Sequence, residues 1–154
     1  MRSILLSFEP EWFDYIETGK KKYEYRSNFP DGNNTFVYFY VSAPVKAICG
    51  MAVMGEREPL STWLTKYESR SEDVVNRIRD LMTDCRYAIP ILSFTPTIRI
   101  ALKTLRNDIR KFIVPRMYYY INDSELEQYL RANLHPTGNS LKHDFDSILD
   151  DDIC

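Results

Sequence analysis

At 154 residues the chain has the size of a single domain, and a chain of this length can remove about two-thirds of its unfolded surface from water. A content of 44% hydrophobic and 14% aromatic residues excludes disorder for all but the C-terminal end, and no apolar run approaches the roughly 18 residues of a membrane span. The net charge of −2 hides an asymmetry: Asp144, Asp146, Asp150, Asp151 and Asp152 fall in the last eleven residues, and without their five charges the remainder carries +3. That balance permits a local cationic cleft but does not by itself mark a nucleic-acid-binding protein.

Ile4 to Phe8 is a short apolar run suited to a buried strand, and Pro10 is placed for the first turn of a helix. Trp12, Phe13 and Ile16 follow at helical spacing and read as its core face, and Gly19 ends it in the left-handed conformation that other residues resist. The chain then enters an extended, aromatic-rich run, Tyr23-Glu24-Tyr25-Arg26. In a strand Glu24 and Arg26 share one face, about 7 Å apart, and Tyr23 and Tyr25 share the other. Asp31-Gly32-Asn33-Asn34 is a turn-forming loop.

Thr35 to Val41 and Val45 to Gly55 are dominated by β-branched and aromatic residues and are separated by Ser42-Ala43-Pro44. Gly50 inside the second run signals a bulge or a close backbone approach. Helical spacing marks Pro59 to Tyr67 and Ser71 to Met82, the latter with an acidic, cap-like start. Arg86 to Phe94 is extended, with Pro90 placing it at an edge or a bulge. Pro96 to Phe112 mixes apolar positions with Arg99, Lys103, Arg106, Arg110, Lys111 and, just beyond, Arg116, and reads as a charged, solvated helix face, with a basic nucleic-acid rim as the alternative. Met117 to Ile121 is a last strand and Ser124 to Asn133 a capped helix. The folded domain is therefore expected over residues 1–133, and residues 134–154 are expected to form a flexible acidic tail.

The chemistry concentrates in Gly19 to Arg26, where Lys21, Glu24 and Arg26 set one anion between two cations just after a helix. The pattern Gly-x-Lys-x-x-Glu-x-Arg resembles the signature of the ASCH domain, a branch of the PUA-like superfamily. Four further stretches are similar to that family's elements in order: Ser3 to Pro10, Val37 to Gly50, Tyr87 to Ile91 and Val114 to Ile121. The resemblance covers roughly residues 3 to 130. It implies an α+β fold, a PUA-like mixed β-barrel of five to six strands with flanking helices, and an association with RNA.

On that basis Lys21, Glu24 and Arg26 are expected to bind RNA or a nucleoside-like small molecule: the cations meet phosphate or a base edge, and Glu24 accepts from an exocyclic amine or orients the cations. Ser42 and Lys46, near the strand turn that the family places beside its cleft, are secondary ligand-binding candidates. The bland alternative is a structural ion-pair network.

An enzyme is the other functional class. The resemblance extends to small amidohydrolases that deacetylate N4-acetylcytidine with a Lys, a Thr and a downstream Glu. Lys21 matches the Lys, whereas Glu24 stands at the Thr position and has no hydroxyl; Lys21 and Glu24 would be the catalytic pair if a reaction occurs. Glu24 should keep Lys21 charged unless burial reverses the balance. Glu56, Glu68 and Glu72 are the candidate downstream carboxylates.

A protein-interaction module built on Tyr118-Tyr119-Tyr120 is a third class. Cys49, Cys85 and Cys154 lack CxxC spacing and read as intracellular thiols, Cys49 as a core residue, and His135 and His143 lack ligand spacing. No metal, no cofactor, no membrane partner and a cytoplasmic location are expected.

Overall fold

The computed structural model describes residues 1–154, and its backbone is organised around one curled, half-barrel sheet. Strand β1 (Arg2–Phe8) lies between β3 (Thr35–Val41), to which it is parallel, and β7 (Tyr118–Tyr120), to which it is antiparallel. Beyond β3 the order continues through β4 (Ala47–Met54) and the long β6 (Tyr87–Ala101) to β2 (Tyr23–Arg26). The two-residue strands β5 (Glu58–Pro59) and β8 (Leu141–Lys142) add to β6. Helices α1 (Pro10–Glu17), α2 (Leu60–Lys66), α3 (Glu72–Asp84), α4 (Leu102–Asp108) and α5 (Glu125–Asn133) cover it.

The period of two sorts side chains onto the two faces of the sheet. Ile4, Leu6 and Phe8 of β1 and Val37, Phe39 and Val41 of β3 point inward, where Phe13 and Ile16 of α1 and Phe94 of β6 complete the main core. Leu5, Tyr38, Tyr40 and Ile48 point outward and are roofed by Leu105 of α4 and by Leu126 and Leu130 of α5. Both faces are thus buried, which is why β1 reads as a continuous apolar run.

Gly50 has both features its position suggested. The β3–β4 and β4–β6 registers shift around it, and a Cβ there would lie 2.8 Å from Phe94 Cε1 and 2.9 Å from Phe94 Cζ. Gly19 adopts φ +76° and turns the chain out of α1 toward β2. Ser71 caps α3 by accepting from Val74 N, and Ser124 caps α5 by accepting from Glu127 N at 3.1 Å.

Of the two positions expected for Pro90, an edge or a bulge, the structure has the second: β6 is an interior strand that pairs with β2 through Pro90 and with β4 from Ile91 onward, and the β4–β6 register shifts between Ile91 and Ser93, so the missing N–H falls where the strand changes partners. Two segments differ from expectation. The same strand runs through Pro96 to Ala101, so the first third of the basic segment is strand, and only Leu102–Asp108 is helical, with Leu105 buried and Lys103 and Arg106 solvated.

The acidic end lies against the domain. Leu141 packs on Gly19, His143 N donates to Leu92 O, and Asp150–Asp152 form a 3₁₀ turn followed by fully buried Ile153. Ile153 joins Trp63, Val74 and Ile78 in a third core that α2 and α3 form over Tyr23 and Tyr25. Arg70 donates to Asp150 Oδ1 at 2.7 Å, and Arg77 donates to the carbonyls of Asp150 and Ile153 at 3.0 Å each. A few apolar side chains, spaced among the aspartates, supply the anchors that composition alone conceals.

Candidate functional site

Lys21, Glu24 and Arg26 meet at one end of the half-barrel. Residues 24 and 26 share a face of β2, and Arg26 Nε donates to Glu24 Oε2 at 2.8 Å. Arg26 Nη2 reaches the carbonyl of Ser7 at the end of β1 at 2.6 Å, so the guanidinium ties β2 to β1. Lys21 lies on the turn before β2, where its backbone N–H donates to Tyr15 O. That contact folds the lysine back over the strand.

Glu24 is the hinge of the cluster. Its Oε1 accepts from the N–H of Tyr25 at 3.1 Å and faces Lys21 Nζ at 3.7 Å, an ion-pair separation too long for a direct hydrogen bond. The Lys21 amine also lies over two aromatic rings, 4.9 Å from the Tyr25 centroid and 5.5 Å from that of Trp12. Lys21 and Glu24 are both buried, at 7% and 8% exposure. A carboxylate has about four acceptor sites, so Glu24 retains capacity to accept from a guest.

Burial decides the lysine's proton affinity. Desolvation lowers the Lys21 pKa from its ordinary 10.5, and Glu24, which favours the ammonium, compensates only in part. Of the two opposing influences on Lys21, burial and the neighbouring carboxylate, burial is the larger. Burial raises the Tyr25 hydroxyl far above its usual value and keeps it neutral. Burial, then Glu24 and Asp84, raises the Cys85 thiol, so Cys85 is not an activated thiolate.

These groups line an open cavity of about 730 Å³, within the range of small-molecule sites. Its wall draws on the β1–α1 junction (Ser7, Phe8, Glu9, Trp12), the C-terminal end of α3 (Asp84, Cys85) and Arg116 before β7. Arg116 is exposed and enters no ion pair, which makes it the uncommitted cation of the cleft. The lining carries Lys21, Arg26 and Arg116 against Glu9, Glu24 and Asp84, set among apolar side chains, so the cleft is mixed in polarity and charge-balanced, not strongly cationic.

Several residues fall elsewhere. Ser42 and Lys46 do not line the cavity: Ser42 N donates to the carbonyl of Phe8, and both residues lie on the turn behind that strand end. Glu56, Glu68 and Glu72 are also outside; the carboxylates that face the cleft are Glu9, Glu24 and Asp84. Trp12 is not a core residue. It is 45% exposed and forms part of the wall, whereas Phe13 and Ile16 take the buried stripe of α1. Arg116 was legible only as one charge in a basic stretch, and only the fold brings it to the site. Cys49 lies in the core, where burial pushes its thiol up to about 11. Tyr119 is half-buried and donates to Ile113 O, and Tyr120 is exposed beside Tyr118.

The model of the ASCH domain matches residues 6–97. Among solved structures, that of the ASCH protein of Zymomonas mobilis superposes with a TM-score of 0.63 at 23% identity, covering 86% of this chain and 95% of that one. Two mutant structures of the same protein give TM-scores of 0.62 and 0.59 at 20% and 21% identity, covering 85% and 84% of this chain and 98% and 95% of theirs. At these identities the likeness establishes the fold. No curated protein matches the chain.

Proposed function

Because this chain belongs to the ASCH domain family, whose members are linked to RNA, we propose that it binds RNA or a nucleoside-like ligand in the cleft of Lys21, Glu24 and Arg26. The observation that carries this reading is the Glu24 carboxylate, held by Arg26 Nε at 2.8 Å beneath an open cavity. In that position it is an oriented acceptor for an exocyclic amine. Lys21, with its nearest carboxylate oxygen 3.7 Å away, has donors to spare for a carbonyl or ring nitrogen on the same base edge.

A charge-balanced cleft with both polar and apolar walls suits an unpaired base better than a row of phosphates, and the exposed face of Trp12 offers a stacking surface beside it. Arg116 is the group available to a phosphate. Ser42 and Lys46, on the turn behind Phe8, would meet only a ligand long enough to leave the cavity. Arg26 is the reporter of choice. Calorimetric titration with nucleoside monophosphates and single-stranded RNA should show binding that Arg26→Met weakens at least tenfold; equal affinities in the two proteins would refute the site.

The lowered pKa of Lys21 favours one second reading, an amidohydrolase acting on an acylated nucleoside such as N4-acetylcytidine, with Lys21 as the reactive group and Glu24 beside it. Turnover of N4-acetylcytidine by the unaltered protein, abolished in Lys21→Ala, would establish it. No turnover across a panel of acylated nucleosides leaves binding as the function.

A further inference from the structure

A second chamber adjoins the first. It encloses about 530 Å³ and is lined by Trp12, Tyr15, Lys20, Lys21, Arg77, Asp151, Asp152 and Cys154, of which Trp12, Lys21 and Cys154 also line the Lys21–Glu24–Arg26 cavity. Two aromatic side chains stand open on its wall: Trp12 is 45% and Tyr15 44% exposed, with ring centroids 5.9 Å apart. Exposed aromatics three residues apart on a short helix, beside a buried stripe that already serves the core, need an explanation that core packing does not supply.

We propose that this chamber is the subsite for a second nucleotide, so that the ligand is a single-stranded oligonucleotide of at least two residues and not a lone nucleoside. The inference rests on the reading of the first cavity as a base-binding cleft. One base would sit over Glu24 and Lys21, and the next would stack on the Tyr15 ring, with the Trp12 ring, inclined to it by 45°, closing the side toward the first base. Trp12 belongs to both chambers, with Lys21 Nζ 5.5 Å from its ring centroid and the Tyr15 ring centroid 5.9 Å away.

Charge is arranged to match. Lys20 is exposed and enters no ion pair, which leaves it free for the linking phosphate. Of the two aspartates on the far wall, Asp152 is held 3.4 Å from Lys22 Nζ and is thereby partly neutralised. An aromatic platform flanked by an uncommitted lysine is the combination that tracks single strands with little sequence preference.

The test compares the four nucleoside 5′-monophosphates with the matching RNA dinucleotides and tetranucleotides, using the full chain and its Tyr15→Ala, Tyr15→Phe and Arg26→Met variants. Tyr15 lines only the second chamber, and its exposed position keeps the substitution from disturbing the core. The expected result is tighter binding of dinucleotides than of monophosphates, lost by about five- to a hundredfold in Tyr15→Ala, restored in Tyr15→Phe, with monophosphate affinity unchanged. Quenching of tryptophan fluorescence should accompany dinucleotide binding, since Trp12 is accessible and Trp63 fully buried.

Arg26-dependent monophosphate binding that gains nothing from a second nucleotide, or nothing lost in Tyr15→Ala, would overturn the subsite and leave the cleft standing. Binding that ignores Arg26, or no binding of any probe by the unaltered protein, would overturn both.

Discussion

Arg26 and Glu24 form the closer of the two ion pairs of the cleft, Nε to Oε2 at 2.8 Å, and the same guanidinium reaches the Ser7 carbonyl at 2.6 Å. One side chain therefore orients the carboxylate and clamps β2 to the end of β1. Two kinds of consequence follow, one for stability and one for recognition.

The stability consequence is a coupling. Removing Arg26 leaves Glu24, at 8% exposure, short of its main partner. Breaking a fully buried pair costs about 3–5 kcal/mol, and the guanidinium's 17% exposure lowers the expectation to roughly 2–3 kcal/mol for Arg26→Met. The double variant Glu24→Gln/Arg26→Met should lose less than the two single losses combined, by about 1–2 kcal/mol, as read by denaturant unfolding. Strict additivity would show that the contact is energetically idle.

A pH signature belongs to Lys21. Its native pKa lies below 10.5, so between that lowered value and 10.5 the unfolded chain holds a proton that the native chain lacks, and native stability rises with pH across that window. Below the native pKa both states are protonated and the full burial penalty applies. Unfolding free energies at about pH 7 and about pH 10 should therefore shift in favour of the unaltered protein relative to Lys21→Met. A difference that stays flat, or moves the other way, contradicts the assigned direction.

Much of this site was legible in the sequence because its signals are local. Gly19 in the left-handed region, the parity of Glu24 and Arg26 and the register-breaking Gly50 each follow from a residue type at its own position. Trp12 was not, since Trp12–Tyr15 and Phe13–Ile16 are equivalent helical pairs and only the sheet decides which is buried. Arg116 and Ile153 were hidden for a related reason. Their roles are assigned by partners far away in the chain, α1 and β2 for the arginine, Trp63 and Ile78 for the isoleucine.

The acidic C-terminal segment carries its own prediction. Ile153 is fully buried in the core under α2 and α3, so Ile153→Ala should cost about 2–4 kcal/mol. The aspartates around it are exposed or paired at the surface, and Asp151→Asn should change stability by less than about 0.5 kcal/mol. Thermal or chemical unfolding of both variants distinguishes an anchored segment from a loose one; equal, negligible losses would mean that Ile153 is not held.

Salt dependence reports how the ligand is gripped. Glu24 engages both Lys21 and Arg26, which leaves Arg116 as the open cation of the first cavity. Binding of a nucleoside monophosphate should weaken as salt screens the phosphate from Arg116, and Arg116→Ala should remove most of that dependence. A salt dependence left intact in Arg116→Ala would move the phosphate contact to another surface.

The central claim is that the cavity above Glu24 receives an unpaired base. Its most direct test is a crystal structure of the protein with a single-stranded RNA tetranucleotide. The expected result is a base edge within hydrogen-bond distance of Glu24 and Lys21, with Arg26 still holding the carboxylate. RNA lying instead along the solvated charges of Lys103, Arg106 and Arg110, with the cavity unoccupied, would contradict it.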